Sequence, residues 1–256
     1  MRFDIMTLFP DLVETVLSES IIGRARKAGI IDIHSHNIRD YSKNKHRHVD
    51  DTPYGGGKGM LMSPVPIYDC YLDVIDPAKN PSERRHVVYM SPQGNVLTQA
   101  KAREFAEKYD DIIFLCGHYE GVDQRIIDEI VDEELSIGDY VLTGGEIPAC
   151  IVVDAVSRLI PGVLADAECF EKESFTDENL LEYPQYTRPY EFLGRKVPDV
   201  LISGHHANIE KWREEQALAK TKAVRPELYE RKMKEMAENT AKTKKKKKFQ
   251  RKSGRG

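Results

Sequence analysis

Apolar residues alternate with polar ones from Arg2 to Phe9 and predict a strand, after which Phe9-Pro10-Asp11 opens a helix with proline in its first turn. A second helical stretch, Ile21 to Ala28, ends at Gly29. Ile30 to Ile38 then reads as a strand with Ile31 and Ile33 on one face and Asp32 and His34 on the other. Pro64 to Val74 predicts another helix. Next come two apolar runs that each break into a polar, glycine-bearing turn: His86 to Met90 into Ser91-Pro92-Gln93-Gly94, and Asp111 to Cys116 into Gly117-His118-Tyr119-Glu120-Gly121. A third stretch, Glu134 to Pro148 (ELSIGDYVLTGGEIP), carries an acidic helix end into a short apolar strand between Gly138 and the Gly144-Gly145 pair. Helical periodicity covers Gln99 to Tyr109 and Val122 to Glu133. Ile147 to Leu159 is apolar almost all round, which predicts a deeply buried helix. Strands alternating with helices predict an α/β fold on a parallel sheet, and three such turns at the carboxyl ends of successive strands mark the place where these folds hold ligands.

The second half reads differently. Pro161 to Thr187 shows no clear periodicity but is rich in acids: Asp166, Glu168, Glu171, Glu173, Asp177, Glu178 and Glu182. Beyond it, a Gly-Arg-Lys turn, a short apolar run Val197 to Ser203 and helical stretches Ala207 to Ala219 and Pro226 to Ala237 predict a small helical domain that is basic at Lys211, Arg213, Lys220, Lys222 and Arg225. The predicted organisation is an α/β domain over 1–160, a flexible linker over 161–187, a helical domain over 188–240 and a disordered basic tail over 241–256.

Composition narrows the class. With 256 residues, 40% hydrophobic and 31% charged, the chain has the balance of a soluble globular protein, and its start lacks the basic and apolar regions of a signal peptide. Cys70, Cys116, Cys150 and Cys169 lack C-x-x-C spacing and read as reduced thiols, so the expected location is the cytoplasm. The net charge of −4 becomes −13 once the seven Lys and two Arg of Lys242 to Gly256 are set aside. So acidic a body binds RNA only through local basic patches, with the tail adding non-specific phosphate attraction or acting as a solubilising appendage. The polar loop from Arg39 to Gly59 holds Lys43, Lys45, Arg47 and Tyr54, suited to phosphates and a stacked base. It is no P-loop, because Gly follows Lys58 where Ser or Thr is needed; G-x-G-x-x-G is also absent. The pairs His34/His36 and His46/His48 lack a nearby cysteine or a third well-placed ligand and read as surface or RNA-contacting histidines.

YMSPQG at 89–94, CGHYEGVDQR at 116–125, SIGDYVLTGGEIP at 136–148, SRLIPGVL at 157–164, YPQYTRP at 183–189 and LISGHHANIEKWR at 201–213 together resemble the bacterial tRNA (guanine-N1)-methyltransferases, in unbroken order from Met1 to about Tyr229. The resemblance implies an α/β fold with a trefoil knot of the SPOUT type, a homodimer, S-adenosylmethionine as donor, and methylation of the guanine just 3′ of the anticodon in tRNA. It implies a donor site in the three turns. Gly117 and Ile137, Gly138, Asp139, Tyr140, Val141 and Leu142 supply backbone contacts, and Tyr89, Met90, Ser91, Pro92 and Gly94 form a wall. Tyr119, Glu120, Ser136, Gly144, Gly145 and Pro148 complete the pocket. Glu120 also reads as a helix N-cap acid.

Methylation at guanine N1 requires removal of the N1 proton, so a carboxylate base and a cation beside O6 suffice. By resemblance the cation is Arg158 and the base position falls on Glu173, where the family commonly has aspartate; Asp177 is a rival base. Mg2+ is left open, since no cluster resembles a metal cage. Two other functions fit parts of the pattern: a different knotted methyltransferase acting on ribosomal RNA or a 2′-hydroxyl, and a non-catalytic RNA-binding module, which accounts for the basic loop and tail but not for three converging turns.

Overall fold

The computed structural model describes residues 1–164, 173–177 and 179–253, with backbone alone from 240 onward. The chain divides into two compact units, Met1–Ala167 and Glu168–Gly256.

In the first unit, five strands form one parallel sheet: β1 (Arg2–Thr7), β2 (Asp32–Asn37), β5 (Arg85–Val96), β6 (Asp111–Cys116) and β7 (Glu133–Ser136), in the order β2-β1-β6-β5-β7. Strand β6 (DIIFLC) is buried along its whole length, as a central strand covered on both faces must be. Its residues alternate between two cores. Ile112, Phe114 and Cys116 enter a cluster with Phe3, Val13, Phe105 and Val153, whereas Ile113 and Leu115 enter one with Ile67, Val74 and Ile126. The first core lies under α1 (Pro10–Leu17), α2 (Ser20–Lys27), α4 (Gln99–Lys108) and α6 (Glu146–Ser157), and the second under α3 (Pro64–Val74) and α5 (Gln124–Ile130). Within the loop 39–59 a short β3 (Asp50–Asp51) pairs with β4 (Leu61–Met62).

The connection β5–α4–β6 runs inward toward β1 over one face, and β6–α5–β7 runs outward past β5 over the other. Both obey the right-handed crossover rule only because they use opposite faces. Their divergence opens a crevice at the carboxyl ends of β5, β6 and β7.

The third strand departs from the sequence expectation. Glu133 and Glu134 belong to β7 rather than to a helix end, and Tyr140 to Leu142 form no strand. The reason is tertiary. Asp123 caps α5 by accepting from the Arg125 amide, while Asp132 Oδ2 accepts the Val87 N–H at 2.8 Å and the Asp132 N–H bonds Val87 O at 2.9 Å. These bonds draw the chain out of the helix and onto the edge of β5.

At the opposite end of the sheet lies a buried ionic cluster. Asp4 and Asp111, both fully buried, sit close enough for each charge to act on the other. Asp4 is also held by Arg2 Nε (2.6 Å) and His36 Nε2 (2.6 Å), and Asp111 Oδ2 accepts from Asn80 Nδ2 (2.7 Å). Burial and the neighbouring Asp4 push the Asp111 carboxyl up to about 6. Burial also opposes charge on Asp4, yet the hydrogen bonds from His36 and Arg2 keep its carboxyl below the usual range. A raised folded-state pKa means that the native protein binds a proton the unfolded chain has already released, so stability falls as pH rises from about 4 through about 6. Asp111→Asn is expected to flatten that slope, worth on the order of 1–3 kcal/mol, in thermal unfolding across this window; an unchanged slope would place the proton elsewhere.

The second unit contains a hairpin of β8 (Glu191–Phe192) and β9 (Arg195–Lys196), then α7 (Asp199–Ile202), α8 (His206–Val224) and α9 (Pro226–Ser253). Pro226 starts α9 where its missing N–H costs nothing. Ala217, Thr221 and Leu228 are buried, and Thr221 Oγ1 donates to Ala217 O while accepting the Leu181 N–H. The α9 backbone is helical to Ser253, where the sequence reading expects a disordered tail, because Lys, Arg and Gln favour helix and no Gly or Pro interrupts the run after Pro226. The linker acids Asp166, Glu168, Glu171 and Glu178, Cys169, and residues 254–256 of the tail lie outside the described residues.

Candidate active site

A cavity of about 270 Å³ opens at the carboxyl ends of β5, β6 and β7, near the lower end of the ~300–1,000 Å³ usual for small-molecule sites. Each strand contributes one wall. Met90 and Asn95 of β5 both pair with Leu135 of β7, so residues 91–94 bulge out, and Ser91 Oγ accepts the Gln93 amide at 3.1 Å. A Cβ on Gly94 would stand 2.3 Å from the Glu134 backbone, so only glycine lets the bulge rejoin β7.

At the end of β6, Tyr119 takes a left-handed φ of 62°. Glu120 follows with its N–H bonded to Met60 O at 3.0 Å and its side chain against Gly59. The end of the glycine-rich loop expected to face RNA therefore packs against Glu120, which lines the cavity. Beyond β7, Ser136 Oγ accepts from the Gly138 N–H (3.1 Å) and donates to Gly138 O (3.0 Å), a turn that glycine permits at φ 143°. The chain returns through Gly144-Gly145 into α6, with the Gly145 N–H on Gly117 O at 3.0 Å and no room for a Cβ beside Cys116 Cα.

The cavity is bordered by Tyr89, Met90, Ser91, Pro92, Gly117, Tyr119, Glu120, Ser136, Ile137, Gly138, Tyr140, Val141, Leu142, Gly144, Gly145 and Pro148. Gly94 and Asp139, also expected there, do not border it: Gly94 is pressed against β7, and Asp139 sits in the turn after Gly138. Gln93, His118, Gly121, Val122, Gln124, Ile127, Glu134, Leu135 and Thr143 line it without having been expected. His118 stood inside a quoted motif, yet nothing in its neighbours along the chain marked it for a role. Burial, with the Glu134 charge nearby, pushes the Tyr89 phenol up, and burial likewise raises the thiols of Cys116 and Cys150, the latter to about 11. These groups stay neutral at physiological pH; Tyr89 lines the cavity beside main-chain groups and the side chains of Glu120 and Glu134, whereas the two thiols lie outside its lining. Among the described residues no group of three or more His, Cys, Asp or Glu could hold a metal ion.

Arg158 forms the C-cap of α6, outside the cavity lining. Glu173 and Asp177 belong to the second unit, where both line a cavity of about 480 Å³ with Tyr183, Lys211 and Arg213. Asp177 is ion-paired with Lys232. Burial alone would lower the Lys232 pKa, but its hydrogen bond to Asp177 and the charges of Asp177 and Glu235 together outweigh burial and the pKa is raised.

A three-layer α/β unit whose strands end in glycine turns around a small cavity defines a ligand-binding protein of the open-sheet class. Residues 1–231 match the model of the family described as tRNA (Guanine-1)-methyltransferase TrmD, and the chain belongs to that family. It is 56% identical over 230 residues to the tRNA (guanine-N(1)-)-methyltransferase of Lachnospira eligens, covering 90% of this chain and 95% of that one. It is 57% identical to the protein of that name from Ruminiclostridium cellulolyticum, covering 90% of this chain and 96% of the relative, and 56% identical to that from Clostridioides difficile, covering 90% and 98%.

Proposed function

We propose that this protein transfers a methyl group from S-adenosylmethionine to N1 of the guanine immediately 3′ of the anticodon in tRNA. The observation that carries the reading is the cavity of main-chain turns at the ends of β5, β6 and β7 in a chain of this family. Amide and carbonyl groups in such turns suit the hydrogen-bonding edge of adenine and the amino-acid end of the donor, and Leu135, Ile137, Leu142 and Pro148 give apolar surface to the purine. Bound in the cavity, S-adenosylmethionine would supply the methyl group and leave as S-adenosylhomocysteine; Glu173 takes the N1 proton, which frees the N1 lone pair to accept that methyl. Arg158 steadies the charge that grows on O6. The expected knot is supported by the two glycine contacts, Gly94 on Glu134 and Gly145 on Cys116, which are the close backbone approaches a threaded chain needs.

The basic positions of α8 and the residue after it, Lys211, Arg213, Lys220, Lys222 and Arg225, suit the tRNA phosphates. No helix among the described residues is long and apolar enough to cross a membrane, and an enzyme of tRNA works in the cytoplasm. Mg2+ stays open. Thermal unfolding with S-adenosylmethionine or S-adenosylhomocysteine tests the donor site: stabilisation by several degrees is expected at saturation, and no shift with either removes the reading. Mass spectrometry of methylated tRNA then locates the modified base.

A homodimer is supported by an uncovered apolar face. Phe9, Leu12 and Val16 on and beside α1 and Ile147 and Ile151 on α6 are exposed at helical spacing on two helices that pack together. A second copy of this chain is the occupant with the same apolar character, bringing α1 and α6 to their equivalents about a two-fold axis. Leu12→Asp with Ile151→Asp is expected to give a monomer with little activity; sedimentation that still returns a dimer would assign this face to something else.

A further inference from the structure

Glu146, the first residue of α6, carries a carboxylate only 2% exposed, and the chain bonds it on both oxygens. Thr7 Oγ1 donates to Oε1 at 2.6 Å while itself accepting the Phe9 N–H at 2.8 Å. The other oxygen, Oε2, lies 2.6 Å from His118 Nε2. Thr7 ends β1, His118 follows β6 and Glu146 opens α6, so one buried carboxylate ties three elements together beside the cavity.

The order of these bonds fixes a proton. Thr7 Oγ1 accepts the Phe9 amide and donates its one proton to the Glu146 carboxylate, whose other oxygen accepts from Nε2–H. In its neutral form the ring then keeps its lone pair on Nδ1. Among the described residues Nδ1 makes no hydrogen bond, and it is not one of the buried unpartnered atoms, so it reaches open space. The ring is 15% exposed and borders the cavity. Phe9 covers it at a centroid distance of 4.8 Å, and Gly144 packs so close that a Cβ there would meet the ring at 2.2 Å.

We infer that His118 is a donor-binding residue whose Nδ1 accepts a hydrogen bond from S-adenosylmethionine, and that Glu146, oriented by Thr7, is the positioning residue that sets its tautomer. The inference rests on the cavity being the donor site. Two groups of the donor have the required N–H or O–H: the ribose hydroxyls and the α-ammonium.

The test is calorimetric binding of S-adenosylhomocysteine and of 5′-methylthioadenosine, which lacks the amino-acid end, at pH 8.5 to the full chain. His118→Phe removes the acceptor and is expected to weaken S-adenosylhomocysteine about three- to tenfold. If the partner is a ribose hydroxyl, methylthioadenosine weakens equally; if it is the α-ammonium, methylthioadenosine binding holds. Glu146→Gln gives the readout that a merely structural role would not move. Thr7 still donates to the amide oxygen, so the amide N–H2 faces His118 and forces the ring proton to Nδ1. Affinity should fall as in His118→Phe, and the 15N shifts of the His118 ring should report the opposite tautomer from the native protein. Native affinity in a folded His118→Phe or Glu146→Gln protein, or an Nδ1–H tautomer in the native chain, overturns the inference. If the native chain binds neither ligand, the donor-site reading fails with it.

Discussion

Glu173→Gln is expected to lower turnover by about 100-fold or more, roughly 2.7 kcal/mol of barrier, while the affinity for S-adenosylhomocysteine holds. Glutamine keeps the size and hydrogen bonding of the side chain but has no basic oxygen to take the N1 proton. The residue sits at the start of a compact turn: the Thr176 N–H bonds Glu173 O at 3.2 Å, the Phe175 N–H bonds Leu180 O at 3.0 Å, and Ser174 Oγ accepts the Glu182 N–H at 3.0 Å. This turn presents Glu173 and Asp177 together, with Asp177 ion-paired to Lys232. With Glu173 as the base, Asp177→Asn should keep most of the activity, and Glu173→Asp should recover much of what glutamine loses. A single-turnover assay with saturating tRNA separates the cases: a near-normal Glu173→Gln beside a dead Asp177→Asn moves the base by four residues.

Much of the first unit was legible because its strands are written in runs that nothing but burial explains. Asp111 to Cys116 is apolar after its first residue, and a stretch of that length bounded by turns is a central parallel strand. The cavity was legible for a related reason, since glycine-bearing turns after such runs mark where the backbone must bend or be approached closely. β7 was not, because Glu133 and Glu134 continue the acidic pattern of the preceding helix and only the bonds of Asp132 to Val87, 45 residues away, pull them into the sheet. The same distance hides the polar networks. Glu146 finds Thr7 139 residues away, and nothing local to Asp4 and Asp111 announces that the two meet. The helical backbone after Lys242 was missed by weighing charge above propensity.

Gly94→Ala is expected to abolish measurable donor binding and to destabilise the first unit strongly. The added methyl would lie 2.3 Å from the Glu134 carbonyl carbon and its oxygen and 2.5 Å from the Leu135 nitrogen. All three are backbone atoms, so no rotamer change relieves the contact, and β5 and β7 must separate where the bulge of residues 91–94 closes. That separation breaks the pairing of Asn95 and Val96 with Leu135 and Ser136, and it moves Ser136 and Ile137 away from Ser91 and Pro92 across the cavity. Gly55→Ala is the matched comparison. Gly55 has φ 88° and no atom within 4 Å of an added Cβ, so alanine there costs backbone strain on the order of 1 kcal/mol without closing a contact. Calorimetric titration with S-adenosylhomocysteine should find binding lost in Gly94→Ala and retained in Gly55→Ala, with a far larger fall in unfolding temperature for the first. Equal behaviour of the two variants would mean that β5 and β7 can part without cost, and the cavity would then owe its shape to something other than this close approach.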